Sequence, residues 1–276
     1  MSFKISRREL ASGAVGAGAV AASLVATTAN AKTMDDVIKD GALRIGIHPN
    51  SPPFSGRDDA GAWKGFDVAF GTRLAEELKI AKVEWVPTET AQRVPFLVAD
   101  TIDISLGGLT RNSERAKQIE FTFPLHTEVM GVLTTEKETV KSWKDLNDAK
   151  YTLVDVRSAW TIDWAKENLP NAKMEVVDSS ADAVRAIAQG RANALVEMLD
   201  FFTAFTANHA DVKWKILDDK IDVGWDAIGV QKGNYALRDV INIALFKLHS
   251  SGAVDTMWKE AFGSDMLLKV PAQPYF

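Results

Sequence analysis

Residues 102–108 read Ile-Asp-Ile-Ser-Leu-Gly-Gly. Apolar Ile102, Ile104 and Leu106 alternate with polar Asp103 and Ser105, the period of a strand, and the glycine pair ends it. Upstream, Val94-Pro95-Phe96-Leu97-Val98 reads as a short helix with proline in its first turn. Val83-Glu84-Trp85-Val86 reads as a strand. Phe66, Phe70, Leu74 and Leu78 recur every four residues, the stripe of an amphipathic helix. Leu43–Ile47 is a further strand, after which Pro49, Pro52 and Pro53 impose a rigid, extended loop. Strand, helix, strand, helix, strand in this order indicates a parallel α/β sheet.

Downstream, a second α/β series is expected from about Val132. Ser142 caps a short helix at Trp143-Lys144-Asp145, Tyr151–Val154 is a strand, and Ser158 precedes a helix over Trp160–Glu167. Val184, Ile187 and Ala188 form a helical stripe closed by Gly190. Ala194–Val196 and Ala227–Val230 are strands. Two amphipathic helices separated by Gly252 end the fold, the first built on Leu237, Ile241, Leu245 and Leu248, the second on Val254, Trp258 and Phe262.

Composition narrows the function classes. The chain has 276 residues, 25% charged, with formal net charge −5, so no basic excess points to nucleic acid. It has no cysteine, which excludes disulfides, thiolate catalysis and cysteine-based zinc sites within this sequence. His48, His126, His209 and His249 lie far apart without metal-ligand spacing, so no metal or other cofactor is expected. Ser6-Arg7-Arg8-Glu9-Leu10, an uncharged Ala/Gly/Val-rich run and Ala29-Asn30-Ala31 form an export signal over residues 1–31. Its paired arginines resemble the twin-arginine type. Cleavage after Ala31 would leave about 245 residues, the size of one large domain or two lobes.

Five blocks then occur in order. They are Arg44-Ile45-Gly46 with Pro52-Pro53-Phe54 and Gly65-Phe66-Asp67-Val68; Arg93-Val94-Pro95; Ile102–Ile104 with Thr110, Glu114-Arg115 and Ile119–Pro124; Gly190-Arg191-Ala192-Asn193-Ala194; and Ser251–Asp255 with Trp258 and Ala261-Phe262-Gly263. From Leu43 onward the chain therefore resembles the polar amino-acid-binding proteins of ATP-driven importers, family 3 of the bacterial extracellular solute-binding proteins. The resemblance implies a two-lobed, periplasmic binding protein-like α/β fold. Each lobe is a mostly parallel sheet flanked by helices, and two strands form the hinge. Lobe 1 would comprise residues 32–128 and 229–276, and lobe 2 residues 129–228. It also implies a periplasmic monomer that closes on a small polar ligand, an amino acid or related carboxylate, and docks on an ABC importer permease in the inner membrane.

The same resemblance assigns site residues. Arg115 matches the arginine that grips the ligand carboxylate, for which a planar guanidinium is suited. Thr110 supplies a hydroxyl and Gly108 close backbone approach. Arg93 matches an arginine of the acidic-amino-acid binders. Ser158 stands at a helix start that favours an anion, although Arg157-Ser158-Ala159 departs from the family's Gly-Ser/Thr-Thr. His48 and Asn50 follow the first strand, and a histidine lining the cleft would make binding pH-dependent between about 5 and 8. Arg57 and Arg157 are further candidates. Ser51 replaces a common stacking aromatic, a role open to Phe54 or Trp160. Met198 replaces the Asp expected to hold the ligand's ammonium, which leaves Glu197, Asp200 and Asp226 as nearby acids. Two other functions share this scaffold. One is a cyclohexadienyl dehydratase-like enzyme with Glu197 as general acid. The other is a sensor presenting its ligand to a membrane receptor.

Overall fold

The computed structural model describes residues 32–157, 159–206 and 209–272. The export segment expected over residues 1–31, and Ser158, lie outside the described residues. The elements are α1 (Met34–Asp40), β1 (Ala42–Ile47), β2 (Gly56–Arg57), β3 (Trp63–Lys64), α2 (Phe66–Glu77), β4 (Lys82–Pro87), α3 (Arg93–Val98), β5 (Ile104–Ser105) and α4 (Ser113–Ala116). They continue with β6 (Ile119–Thr135), β7 (Thr152–Val156), α5 (Trp160–Asn168), β8 (Lys173–Val177), α6 (Ser180–Ala188), β9 (Ala194–Met198) and α7 (Leu199–Thr206). The last are β10 (Trp214–Ile216), β11 (Val223–Gln231), α8 (Tyr235–Ser250) and α9 (Ala253–Phe262).

The described strands run β4-β1-β5-β11-β6-β9-β7-β8, with β10 beside β6. Two parallel trios, β4-β1-β5 and β8-β7-β9, flank an antiparallel pair, β11 and β6. This is the two-lobed α/β arrangement. The 17-residue β6 belongs to both halves. It pairs with β11 as far as Val129, then with β9 from Met130. The second α/β series, expected from about Val132, thus begins inside one continuous strand. Pro124, which has no N–H to donate, is tolerated inside it because the β11 register shifts at Asp226/Ala227, opposite the proline.

β5 is shorter than its alternating pattern suggests. The Arg44 N–H, which would extend the ladder, donates instead to Asp103 Oδ2 at 2.7 Å. The Arg44 guanidinium also bonds Asp103 Oδ1 at 2.6 Å, a largely buried pair that holds this strand start by side chains. The core beside β6 is aromatic. Trp258 is fully buried, stacks on Phe262 at 3.9 Å between centroids, and meets Phe54, Phe66 and His126 edge-on or tilted.

Candidate functional site

The carboxyl ends of β1, β5, β7 and β9 open into one cleft, as parallel α/β sheets dictate. His48, Gly107, Gly108, Val156, Glu197 and Met198 line it from those strand ends. Ser51, Phe54, Thr90, Arg93, Thr110, Arg115, Glu128, Ala159, Trp160, Thr161, Ser180 and Phe201 complete the lining. The empty volume is about 640 Å³ with its mouth included, which suits a small-molecule site.

Gly107 and Gly108 have φ of +85° and +64°, consecutive left-handed residues. A Cβ on Gly108 would approach Glu128 Oε1 to 3.1 Å, so glycine is required there. This turn aims both carbonyls at Arg93, whose Nη1 donates to Gly107 O and, at 2.6 Å, to Gly108 O. Arg93 Nε donates to Thr90 O at 3.3 Å. The side chain is buried, and desolvation, then the Arg115 charge, push its pKa down to about 10. Arg93 therefore fastens the strand-end turn. It belongs to the wall of the cleft, with its donors turned to the backbone.

Arg115 is the more exposed guanidinium of the lining. Asn112 caps α4 by accepting the Arg115 N–H at 2.8 Å, and Arg115 Nη1 donates to Thr110 O at 2.8 Å. Burial lowers its pKa, while Asp226 and Glu128 support the charge. The Thr110 hydroxyl donates to Glu128 Oε2 at 3.2 Å. His48 Nδ1 accepts the Asn50 N–H at 3.2 Å, so its Nε2–H faces Glu89 at 2.9 Å. Burial and then the Arg93 charge lower His48 to about 4. It stays neutral across the pH window in which the sequence pattern placed a switch.

Other candidates lie apart from the cleft. Asn50 is exposed and outside the lining, with only its backbone engaged by His48. Asp200 is outside the lining as well and lies by the Leu267 amide; burial raises it to about 6. Arg57 stacks over Trp63 at 4.0 Å, and Arg157 pairs with Asp178 at 2.9 Å on the surface.

The far wall is the start of α5. Its N-cap, Ala159, supplies no side-chain hydrogen bond, and Ala159, Trp160 and Thr161 of that first turn line the cleft. Thr161 there is buried, with its hydroxyl beside the Asp155 carboxyl. Met198 is buried and lines the cleft beside Glu197, which burial and the Glu128 charge raise to about 7. Glu128 on β6 is raised well above the carboxylate range by burial and by Asp226 on β11. Neither Glu128 nor Thr161 was singled out from the sequence. The signal for Glu128 was present: a lone acid directly before the apolar run Val129–Leu133. Among the described residues, no group of three or more His, Cys, Asp or Glu is arranged to hold a metal ion.

Asp67 sits buried behind the Gly107 turn, and burial raises it from 3.8 to about 7 against the opposing Gly107 amide and Arg93 charge. Between those values the folded protein holds a proton that the unfolded chain lacks, so raising the pH through this window lowers stability. Glu197 acts in the same sense, also near 7. His48 and His126, lowered to about 4, oppose the acids only up to their unfolded value of 6.5. Above that the acids act alone. From pH 6.5 to 8 one group titrating near 7 costs about 0.8 kcal/mol. Calorimetry of the ligand-free protein is expected to show the melting temperature falling by several degrees over this range, and Asp67→Asn to flatten the fall. A melting temperature that rises instead would contradict the assignment.

The family model of the bacterial extracellular solute-binding proteins, family 3, matches residues 43–264. A probable amino-acid ABC transporter-binding protein of Haemophilus influenzae is 30% identical, over 84% of this chain and 89% of that protein. The L-arginine-binding protein of Pseudomonas aeruginosa is 29% identical, over 82% of this chain and 90% of its own. The crystal structure of an ancestral amino acid-binding protein, a precursor of cyclohexadienyl dehydratase, superposes with a TM-score of 0.76 at 30% identity. It covers 83% of this chain and 99% of that one.

Proposed function

The chain belongs to family 3 of the bacterial extracellular solute-binding proteins, and we propose from that premise that it captures an amino acid or related small carboxylate and delivers it to an ABC importer. The observation that carries this reading is one cleft lined by Arg115, the first turn of α5 and Glu197. A guanidinium and free helix amides suit a carboxylate; a carboxylate wall suits a protonated nitrogen. The transporter partner is supported by similarity to the Haemophilus influenzae protein.

In this reading residues 32–128 with 229–276 form lobe 1 and residues 129–228 form lobe 2, with the hinge where β6 and β11 cross. Ligand contacts made by both lobes favour the closed form, and only their difference in affinity between open and closed forms drives closure. The chain acts as a monomeric binder, not an enzyme, after export to the periplasm. Among the described residues no helix is long and apolar enough to cross a membrane.

The test is thermal unfolding against a panel of amino acids and small carboxylates, after unfolding and refolding to remove any carried ligand. A ligand at 100 times its Kd is expected to add about 2.7 kcal/mol, a shift of several degrees. Prephenate and arogenate belong in the panel, because their conversion would replace the binder reading with an enzyme. A flat response to every compound would sink the proposal.

A further inference from the structure

Beyond α9 and its C-cap Gly263, residues 264–272 run as a strap without helix or strand. Met266 anchors it: the side chain is 5% exposed and joins the core cluster of Phe201, Phe202 and Trp258. The next three residues reach three different elements. The Leu267 N–H donates to the Asp200 carboxyl in the first turn of α7. The Leu268 carbonyl accepts the hydroxyl of Thr127, a buried residue of β6. Lys269 Nζ donates to Asp255 Oδ2 of α9 at 2.7 Å. Val270, Pro271 and Ala272 then line an apolar pocket together with Phe123 of β6, Trp225 of β11 and Phe246 of α8. In the lobe assignment above, α8 and α9 belong to lobe 1, Thr127 lies on the crossing strand and Asp200 belongs to lobe 2. The strap is thus held at both ends by lobe 1 and bonded to lobe 2 between them. Asp200 is half-buried and outside the cleft lining, so this bond acts on the lobes and not on a ligand.

Resting on the binder reading, we propose that the strap is a latch across the hinge: the bond between Leu267 and Asp200 holds the two lobes in the closed arrangement, so Asp200 sets ligand affinity without touching the ligand. Residues of both lobes, Arg115 and Glu197 among them, line one cleft while this bond is made. Opening carries α7 away from a strap whose ends stay with lobe 1, so the bond belongs to the closed form and is lost in the open one. A contact made in one form only shifts the equilibrium by its own strength, and apparent affinity follows the population of the form that binds.

Two variants remove the bond from opposite sides. Asp200→Ala deletes the acceptor. Leu267→Pro deletes the N–H at a residue whose side chain is 56% exposed, so little packing is lost. Titration of the ligand found by thermal unfolding, with small-angle scattering of the ligand-free proteins, reads the effect. Both variants are expected to bind about tenfold more weakly, mostly through faster release, where the ligand-free native protein is mainly open. Where it is mainly closed, the radius of gyration of the ligand-free variants should grow instead. Asp200→Asn keeps an acceptor and should stay within about threefold of the native affinity. A purely local role for Asp200 would lower the melting temperature and leave affinity and scattering as they were. The latch is overturned if affinity stays within about twofold and the radius of gyration does not grow, or if either variant binds more tightly. Should one variant fail to fold, the other decides. If no compound of the panel binds the native protein, the binder reading falls with this one; if the native protein binds and the variants behave like it, only the latch falls.

Discussion

Replacing Arg93 by alanine is expected to destabilise the protein by about 3–5 kcal/mol, the cost of removing one partner from a buried charge cluster. Three effects act together. The carbonyls of Gly107 and Gly108 lose their donor. Asp67, Glu128 and Asp226 lose a neighbouring positive charge. The removed side chain leaves a void behind the turn. For a chain of this size the melting temperature should fall on the order of 10 °C. Arg93→Lys should recover only part of this, since a single ammonium does not reproduce a planar fork that spans several carbonyls. Urea titration of the ligand-free proteins measures both. A melt for Arg93→Ala within about 2 °C of the native protein, less than 1 kcal/mol at this size, would show that the turn does not depend on the arginine.

Arg115→Ala is expected to produce the opposite pattern: a small change in the stability of the ligand-free protein and a large loss of binding. Truncating one partner of a desolvated charge pair costs roughly 2–5 kcal/mol, a weakening of thirtyfold or more. Titration of the ligand found by thermal unfolding measures it. The two arginines stand a few residues from the same Gly-Gly turn, so comparing them separates fastening from capture. Equal loss of binding in both variants, with equal stability, would erase the distinction drawn between them.

The fold was legible because its signals are local. The strand ending at Gly107-Gly108, the helical stripe from Phe66 to Leu78 and the proline loop after β1 each follow from a few adjacent residues. What was not legible depended on long-range pairing. β6 runs through Pro124 because a register shift in β11, about a hundred residues later, removes the need for its N–H. The cleft shows the same division. Thr110, Gly108, Arg93, His48, Arg115 and Glu197 line it, and each could be placed from the order of motifs. Which way a side chain's donors turn could not. Arg93 faces backbone carbonyls because two left-handed glycines present them, and no spacing rule reveals that. Glu128 was readable only as an acid inside a strand, and Asp226 only as one of three nearby acids; their meeting on adjacent strands is tertiary.

The position of Glu128 on a crossing strand has a mechanical consequence. β6 and β11 are the pivot of the proposed closure, and a load applied at a pivot has no lever arm. In the proposed closure, a ligand group held from β6 beside that pivot is gripped alike whether the jaws stand open or shut, so it adds to residence without adding torque. In the same proposed closure, torque comes from the rim of the opposite jaw, the start of α5, which meets a ligand only as the gap narrows. Anchoring and closing are thereby separable: changes at the pivot alter how long a ligand stays, and changes at the α5 rim alter how far the jaws shut.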